Sequence, residues 1–182
     1  MPILIEISLH ILDLLENSIN AGADKIWITI DVNENEDMYS VCVEDNGKGF
    51  SIEAEQILDP FYTTKSSKIV GLGLSLARDS AEQSGGKIEI GKSEKLGGAK
   101  VVLTFQISHI DRVPMGDLGN TISGIFLTNP NVNINIHIIK DNQHLLLIDT
   151  NEYKNMCRLN NELECSQRIA YEINEVVKKL GI

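Results

Sequence analysis

The sequence predicts a two-layer α/β sandwich, a mixed sheet with helices on one face, followed by a small α+β appendage. Three observations carry this. Segments with apolar residues at helical spacing alternate with segments of period two. Gly, Pro and Asn/Asp clusters punctuate the junctions between them. At "HIDRVP", residues 109–114, the style of the chain changes, which divides a unit of residues 1–108 from one of residues 109–182.

In order, residues 5–21 repeat Ile7, Ile11, Leu14, Leu15 and Ser18 at helical spacing, and Gly22 supplies the stop. "KIWITIDV" and "YSVCVE" alternate at period two around the turn-like "NENED", which reads as a hairpin. "SIEAEQIL" is a short helix opened by a Ser51 cap and ended by Pro60. "GLSLARDSAEQSGG" is a helix with a Gly-Gly stop, and "KIEIGKSEKLGGAKVVLTFQI" closes the unit as a second hairpin. The appendage reads as a helix ("GDLGNTISGIFL"), two strands around Asp141-Asn142 and a last long helix. In that helix Leu159, Leu163, Ser166, Ala170, Ile173, Val177 and Leu180 form a heptad seam. Two readings stay open for it: packing on the appendage's own two-stranded sheet, or a seam for a homodimer or another protein.

Composition bounds the function. The 182 residues fit one domain, or a core domain with an appendage, and 42 % apolar residues provide for a real core. Apolar runs such as "GIFL" and "HLLLI" fall far short of the ~20 residues of a membrane span. "MPILIEIS" lacks the basic flank of a signal peptide, so a cytoplasmic protein without membrane partners is expected. Cys42, Cys157 and Cys165 make neither a disulfide framework nor a close metal-ligand pair, and read as buried or idle thiols. A net charge of −10 argues against a general nucleic-acid binder.

Four local signals fall in order on the first unit. His10, Asp13, Asn17 and Asn20 or Ala21 share one face of the first helix, which alone would be a solvated face. "EDNGKGF" sets an acid at a strand end before Gly47 and Gly49, which let backbone approach a ligand, although Asp-Asn-Gly is also ordinary turn chemistry. "DPFYTTK" follows. "GLGLSLA" is a Gly-rich loop opening directly into a helix, where free N–H groups and the helix dipole favour phosphate.

Together these segments resemble the ATP-binding domain shared by gyrase, the heat-shock chaperones, histidine kinases and mismatch-repair ATPases, the GHKL superfamily. "LLENSINAGADKIWITI" resembles its N box in the wording of the mismatch-repair branch. "VEDNGKGF", "DPFYTT" and "GLGLSLARDSAEQSGGKIEI" resemble the G1, F and G2 boxes of the histidine-kinase branch, and "GGAKVVLTF" its closing hairpin. The fold implied is a histidine-kinase-like α/β sandwich. The resemblance also implies that Asn17 is a Mg²⁺ ligand, that Asp45 reads adenine, and that Gly47 and Gly49 pass beside the ring. It further implies that Gly71, Leu72, Gly73 and Leu74 frame the triphosphate and that the Thr104 hydroxyl lies near the base. Lys65 and Lys68 fall in the segment matching the ATP lid. Read alone, Thr104 is an ordinary strand residue and the two lysines a solvated loop.

The departures also count. Asp13 stands where the ATPases and anti-sigma serine kinases of the superfamily carry a general-base Glu, and the lid between Phe61 and Gly71 is short. No dimerisation helix with a phosphoacceptor His precedes the domain, so autophosphorylation in the ordinary two-component manner is not expected. The expected function is Mg·ATP binding with phosphotransfer to a partner protein and slow hydrolysis. The alternative is a nucleotide-gated interaction module without transfer.

Overall fold

The computed structural model describes residues 6–50, 72–157 and 162–182. The elements are α1 (Ile7–Asn20), β1 (Lys25–Asn33), β2 (Met38–Asp45), α2 (Leu72–Gln83), β3 (Ile88–Lys92) and β4 (Ala99–Gln106). They continue with α3 (Leu118–Thr128), β5 (Asn133–Lys140), β6 (Gln143–Asp149), α4 (Thr150–Cys157) and α5 (Glu162–Leu180). The expected helix "SIEAEQIL" lies outside the described residues. Helix α4, a short polar segment with no apolar period, was not legible in the sequence.

The strands form one mixed sheet in the order β3-β4-β2-β1-β5-β6. All neighbours are antiparallel except β1 and β5, which pair in parallel from Lys25↔Asn133 to Val32↔Lys140. The period-two pattern of the strands sorts side chains by face. Ile26, Ile28 and Ile30 of β1, Val41 and Val43 of β2, Leu103 and Phe105 of β4, and Ile134, Ile136 and Ile138 of β5 are buried in the core with the helices. Lys25, Thr29 and Asp31 of β1 alternate with them on the other face. The two-layer α/β architecture expected from the sequence is therefore the one observed.

The C-terminal strands do not make a separate two-stranded sheet. They extend the main one through β1, and Leu118, Ile122, Ile169 and Ile173 belong to the same core as Ile7 and Ile11. The final helix packs on α3. Its approach is close because Gly119 has no side chain: a methyl group there would collide with the Ala170 carbonyl oxygen. Asn174 fastens the pair, its Oδ1 accepting from Gly119 N at 2.9 Å and its Nδ2 donating to Asp117 Oδ1 at 2.8 Å. Ser166, Ala170, Ile173, Val177 and Leu180 of the heptad seam are buried in this contact, so they are not free to pair with a second copy. Leu163 is exposed, and Leu159 lies outside the described residues.

Among the described residues no helix is long and apolar enough to cross a membrane. Cys42 is a free thiol on β2, whereas Cys165 is disulfide-bonded, against the expectation of idle thiols.

Candidate functional site

Asp45 is the last residue of β2 and is only 3 % exposed. A buried carboxylate needs donors, and this one has three. Its Oδ2 accepts from Ser18 Oγ at 2.6 Å, and its Oδ1 accepts from the backbone N–H groups of Gly47 at 2.9 Å and Ala99 at 3.0 Å. Each carboxylate oxygen can accept two hydrogen bonds, so one place remains on Oδ2. The side chain is fixed in direction and still able to take one more donor.

Glycines keep the surroundings of that carboxylate bare. A methyl group on Gly98 would come within 2.5 Å of the Asp45 carbonyl oxygen and 2.7 Å of Gly47 N, and one on Gly47 would lie 3.1 Å from the Ala21 carbonyl oxygen. Gly98 N in turn donates to the Asp45 carbonyl at 3.0 Å. Gly49 sits at φ +69°, in the left-handed region that favours glycine. The loop after β2 is tied to the junction between α1 and β1. Asn46 Nδ2 donates to Asp24 Oδ1 at 2.7 Å, its Oδ1 accepts from the N–H groups of Asp24 and Lys25, and Lys48 N donates to the Ala21 carbonyl at 3.2 Å. Hence "AGADK" is the frame that holds the end of α1 against the acid loop.

Asp13 and Asn17 lie one turn apart on α1, and both are exposed. The first turn of α2 approaches Asp13. A methyl group on Gly73 would sit 3.1 Å from Asp13 Oδ2, and Leu74 packs partly buried against the core. His10, expected on the same solvated face, is instead 1 % exposed, because α2 covers it and Ser80 Oγ lies 2.8 Å from its Nε2. Burial holds its pKa below the ordinary histidine value.

The expected residues thus divide into three groups. Asp45, Gly47 and Gly49 gather at the end of β2, next to α1, while Asp13 and Asn17 line α1 with Gly73 near Asp13; Leu74 packs against the core. Lys65, Lys68 and Gly71 lie outside the described residues, as does the side chain of Leu72. Thr104 is not brought to this place. It stands five residues along β4 from Ala99, about 17 Å at strand rise, and its hydroxyl is engaged by Lys87, accepting from N at 2.9 Å and donating to O at 3.2 Å. It alternates with buried Leu103 and Phe105, which puts it on the opposite face of the sheet. The β4 residue beside Asp45 is Ala99, which acts through its backbone. Ser18 was read as part of the apolar stripe of α1. Its signal was a hydroxyl at a buried helical position.

Residues 5–109 match the family model of histidine kinase-, DNA gyrase B-, and HSP90-like ATPases. The chain belongs to this family. Among curated relatives, a putative sensor histidine kinase NtrY-like of Rickettsia conorii is 35 % identical over 107 residues, which cover 58 % of this chain and 17 % of that protein. The sensor histidine kinase ZraS of Escherichia coli O157:H7 is 31 % identical over 107 residues, covering 58 % and 23 %. This chain therefore spans about a fifth of the length of such relatives. The crystal structure of the N-terminal domain of a DNA repair protein shares the fold with TM-score 0.51 and 15 % identity, over 79 % of this chain and 52 % of that one. That span exceeds the family match, so the likeness in fold continues past residue 109.

Within a histidine kinase-like ATPase fold, the arrangement has two chemically distinct ends. One is a buried, immobilised acceptor flanked by glycines, suited to a planar ligand carrying an N–H donor. The other is an exposed pair of oxygen-bearing side chains on α1, facing the first turn of a helix, where phosphate and a hard cation are favoured.

Proposed function

We propose that this chain binds Mg·ATP and passes the γ-phosphoryl group to a partner protein, with slow hydrolysis as a side reaction. The observation that carries this is Asp45: buried, held by three donors, and left with one acceptor place in a wall of glycine backbone. On this reading the free place on Oδ2 takes the exocyclic amine of adenine. The ribose and phosphates then run toward α1 and the start of α2. Asn17 is the ligand for Mg²⁺, whose preference for oxygen donors its side-chain carbonyl meets, and which usually takes only one or two protein ligands besides phosphate and water. The bound cation would offset phosphate charge.

On this reading Asp13, exposed one turn before Asn17, orients the attacking group and takes its proton. The new bond from the acceptor atom, an imidazole nitrogen or a hydroxyl oxygen, to γ-phosphorus forms as the bond to the bridging oxygen breaks, and ADP leaves with that electron pair. The relatives named as sensor histidine kinases support a kinase role. This chain covers about a fifth of their length, so the acceptor is not carried over from them.

The first test is a melt with Mg·ATP. At about 100 times the dissociation constant, ligand adds roughly 2.7 kcal/mol, or about 5 to 11 °C for a chain of this size. An unchanged melt at millimolar Mg·ATP overturns the proposal. Single-turnover incubation with γ-labelled ATP then tests transfer: binding with the label left on ATP would favour a nucleotide-gated interaction module.

A further inference from the structure

His10 is a buried imidazole that the proposed chemistry does not use. It lies on α1, one turn before Asp13, and its contact to Ser80 crosses to α2. The same two helices meet again where Gly73 faces Asp13. Along α2, Ala77 between these points and Ala81 next to Ser80 are almost fully buried. Small side chains permit close approach and resist sliding only weakly, so a directional contact such as His10–Ser80 adds to what sets the helices against one another.

The far end of α2 is anchored to the sheet. Gly86 N donates to the Ala81 carbonyl at 2.8 Å, Gln106 N donates to the Ser84 carbonyl at 2.9 Å, and a methyl group on Gly86 would collide with the Thr104 carbonyl oxygen. With that end fixed, α2 behaves as a lever. Ser80 lies four residues from Ser84, about 6 Å, and Gly73 lies eleven, about 16 Å, at 1.5 Å of rise per residue. A displacement at Ser80 is magnified between two- and threefold at Gly73.

We propose that the His10–Ser80 contact is a positioning device for the phosphate end of the nucleotide, setting how closely the first turn of α2 approaches Asp13 and Asn17. The inference rests on the nucleotide reading above and deepens it. Among the described residues, the hydrogen bonds of His10 and Ser80 reach no group at the base end, where Asp45 is held by Ser18, Gly47 and Ala99. The two ends of the ligand therefore report separately.

The experiment measures dissociation constants of Mg·ATP and of adenosine for wild type, His10→Leu, His10→Gln and Ser80→Ala, each checked for a cooperative melt. His10→Leu keeps bulk and loses the polar contact, whereas the Gln amide nitrogen reaches about as far as Nε2. Expected are a loss of about tenfold or more in Mg·ATP affinity for His10→Leu and Ser80→Ala, adenosine affinity within about twofold of wild type, and recovery in His10→Gln. If His10→Leu fails to fold, the smaller Ser80→Ala change carries the comparison. Equal losses for ATP and adenosine, no loss at all, or a Gln variant no better than Leu overturn the positioning role while leaving nucleotide binding intact. Wild type that binds neither ligand overturns both.

Discussion

Asp45 shows how a single carboxylate can hold a junction together and, on the proposed reading, still face a ligand. Its three donors stabilise the junction of α1, β2 and β4, and the same donors leave one direction for a ligand. Asp45→Asn turns an acceptor into a donor on one side. The expected result is a loss of about 5- to 150-fold for ADP and ATP alike, the cost of a buried amine left unpaired, read by calorimetric titration. Asn17→Ala should instead remove the Mg²⁺ dependence of ATP binding and leave metal-free ADP binding near wild type. Equal losses in both variants under both conditions would show the two roles to be wrongly divided. Gly98→Ala tests the frame itself. Its methyl group meets backbone that cannot yield, so about 1 to 3 kcal/mol of stability should be lost by chemical denaturation, together with adenosine binding. At this scale much was legible in advance. Asp45 and Asn17 were singled out as candidates because their neighbours in sequence form an ordered set. Ser18 was missed because position along a helix says which face is buried, and not whether a hydroxyl there has a partner. The placement of Thr104 was open to correction from parity alone, since it alternates with Leu103 and Phe105 in "VVLTFQ".

At the scale of elements, helix faces were read correctly for their period and less well for what covers them. The face bearing His10 is solvated only if α1 stands alone, and α2 arrives there through a tertiary contact between residues 70 apart in sequence. That contact has a pH signature. The folded chain resists the proton that the unfolded chain takes up near 6.5, so the stability tied to neutral His10 is complete above that pH and declines as pH falls below it toward the lowered native value. Wild type should therefore lose more stability between pH 7 and pH 5 than His10→Gln, measured by denaturant midpoints. Parallel pH profiles would show that His10 titrates alike in both states. The final helix illustrates the same ambiguity. Its 4-3 spacing suits a dimer seam or an internal stripe equally, and what decides between them is Gly119, which lets α3 close onto Ala170. Ile173 is fully buried there, so Ile173→Glu should unfold the chain rather than divide a dimer. A folded, monomeric variant by light scattering and circular dichroism would contradict the packing seen here.

For the whole molecule, the boundary read at residues 109–114 marks a change in sequence style, yet the physical continuity runs across it. Strand β5 pairs along the full exposed edge of β1, and the segment after the boundary caps α1: Ile7 N donates to the Pro114 carbonyl at 3.0 Å and Ser8 N to the Met115 carbonyl at 2.8 Å. Those are two of the four N–H groups that any helix leaves unsatisfied at its start. Met115 and Leu118 are buried in the same core as Ile7 and Ile11. No local pattern could announce this, because a parallel partner comes from a distant part of the chain and leaves no turn signal between the two strands. The consequence reaches the site, since α1 carries Asp13 and Asn17 and, in its last turn, Ser18. A fragment of residues 1–108 is therefore expected to lack a cooperative melt, to bind a hydrophobic dye, and to show no shift with Mg·ATP. Restoring residues 109–182 as a separate chain should recover part of each property if the two pieces associate through β1, β5 and the cap on α1. If the fragment alone melts cooperatively and gains as much stability from Mg·ATP as the full chain, the sheet extension is an addition to a self-sufficient ATPase unit and α1 needs no support from beyond the boundary.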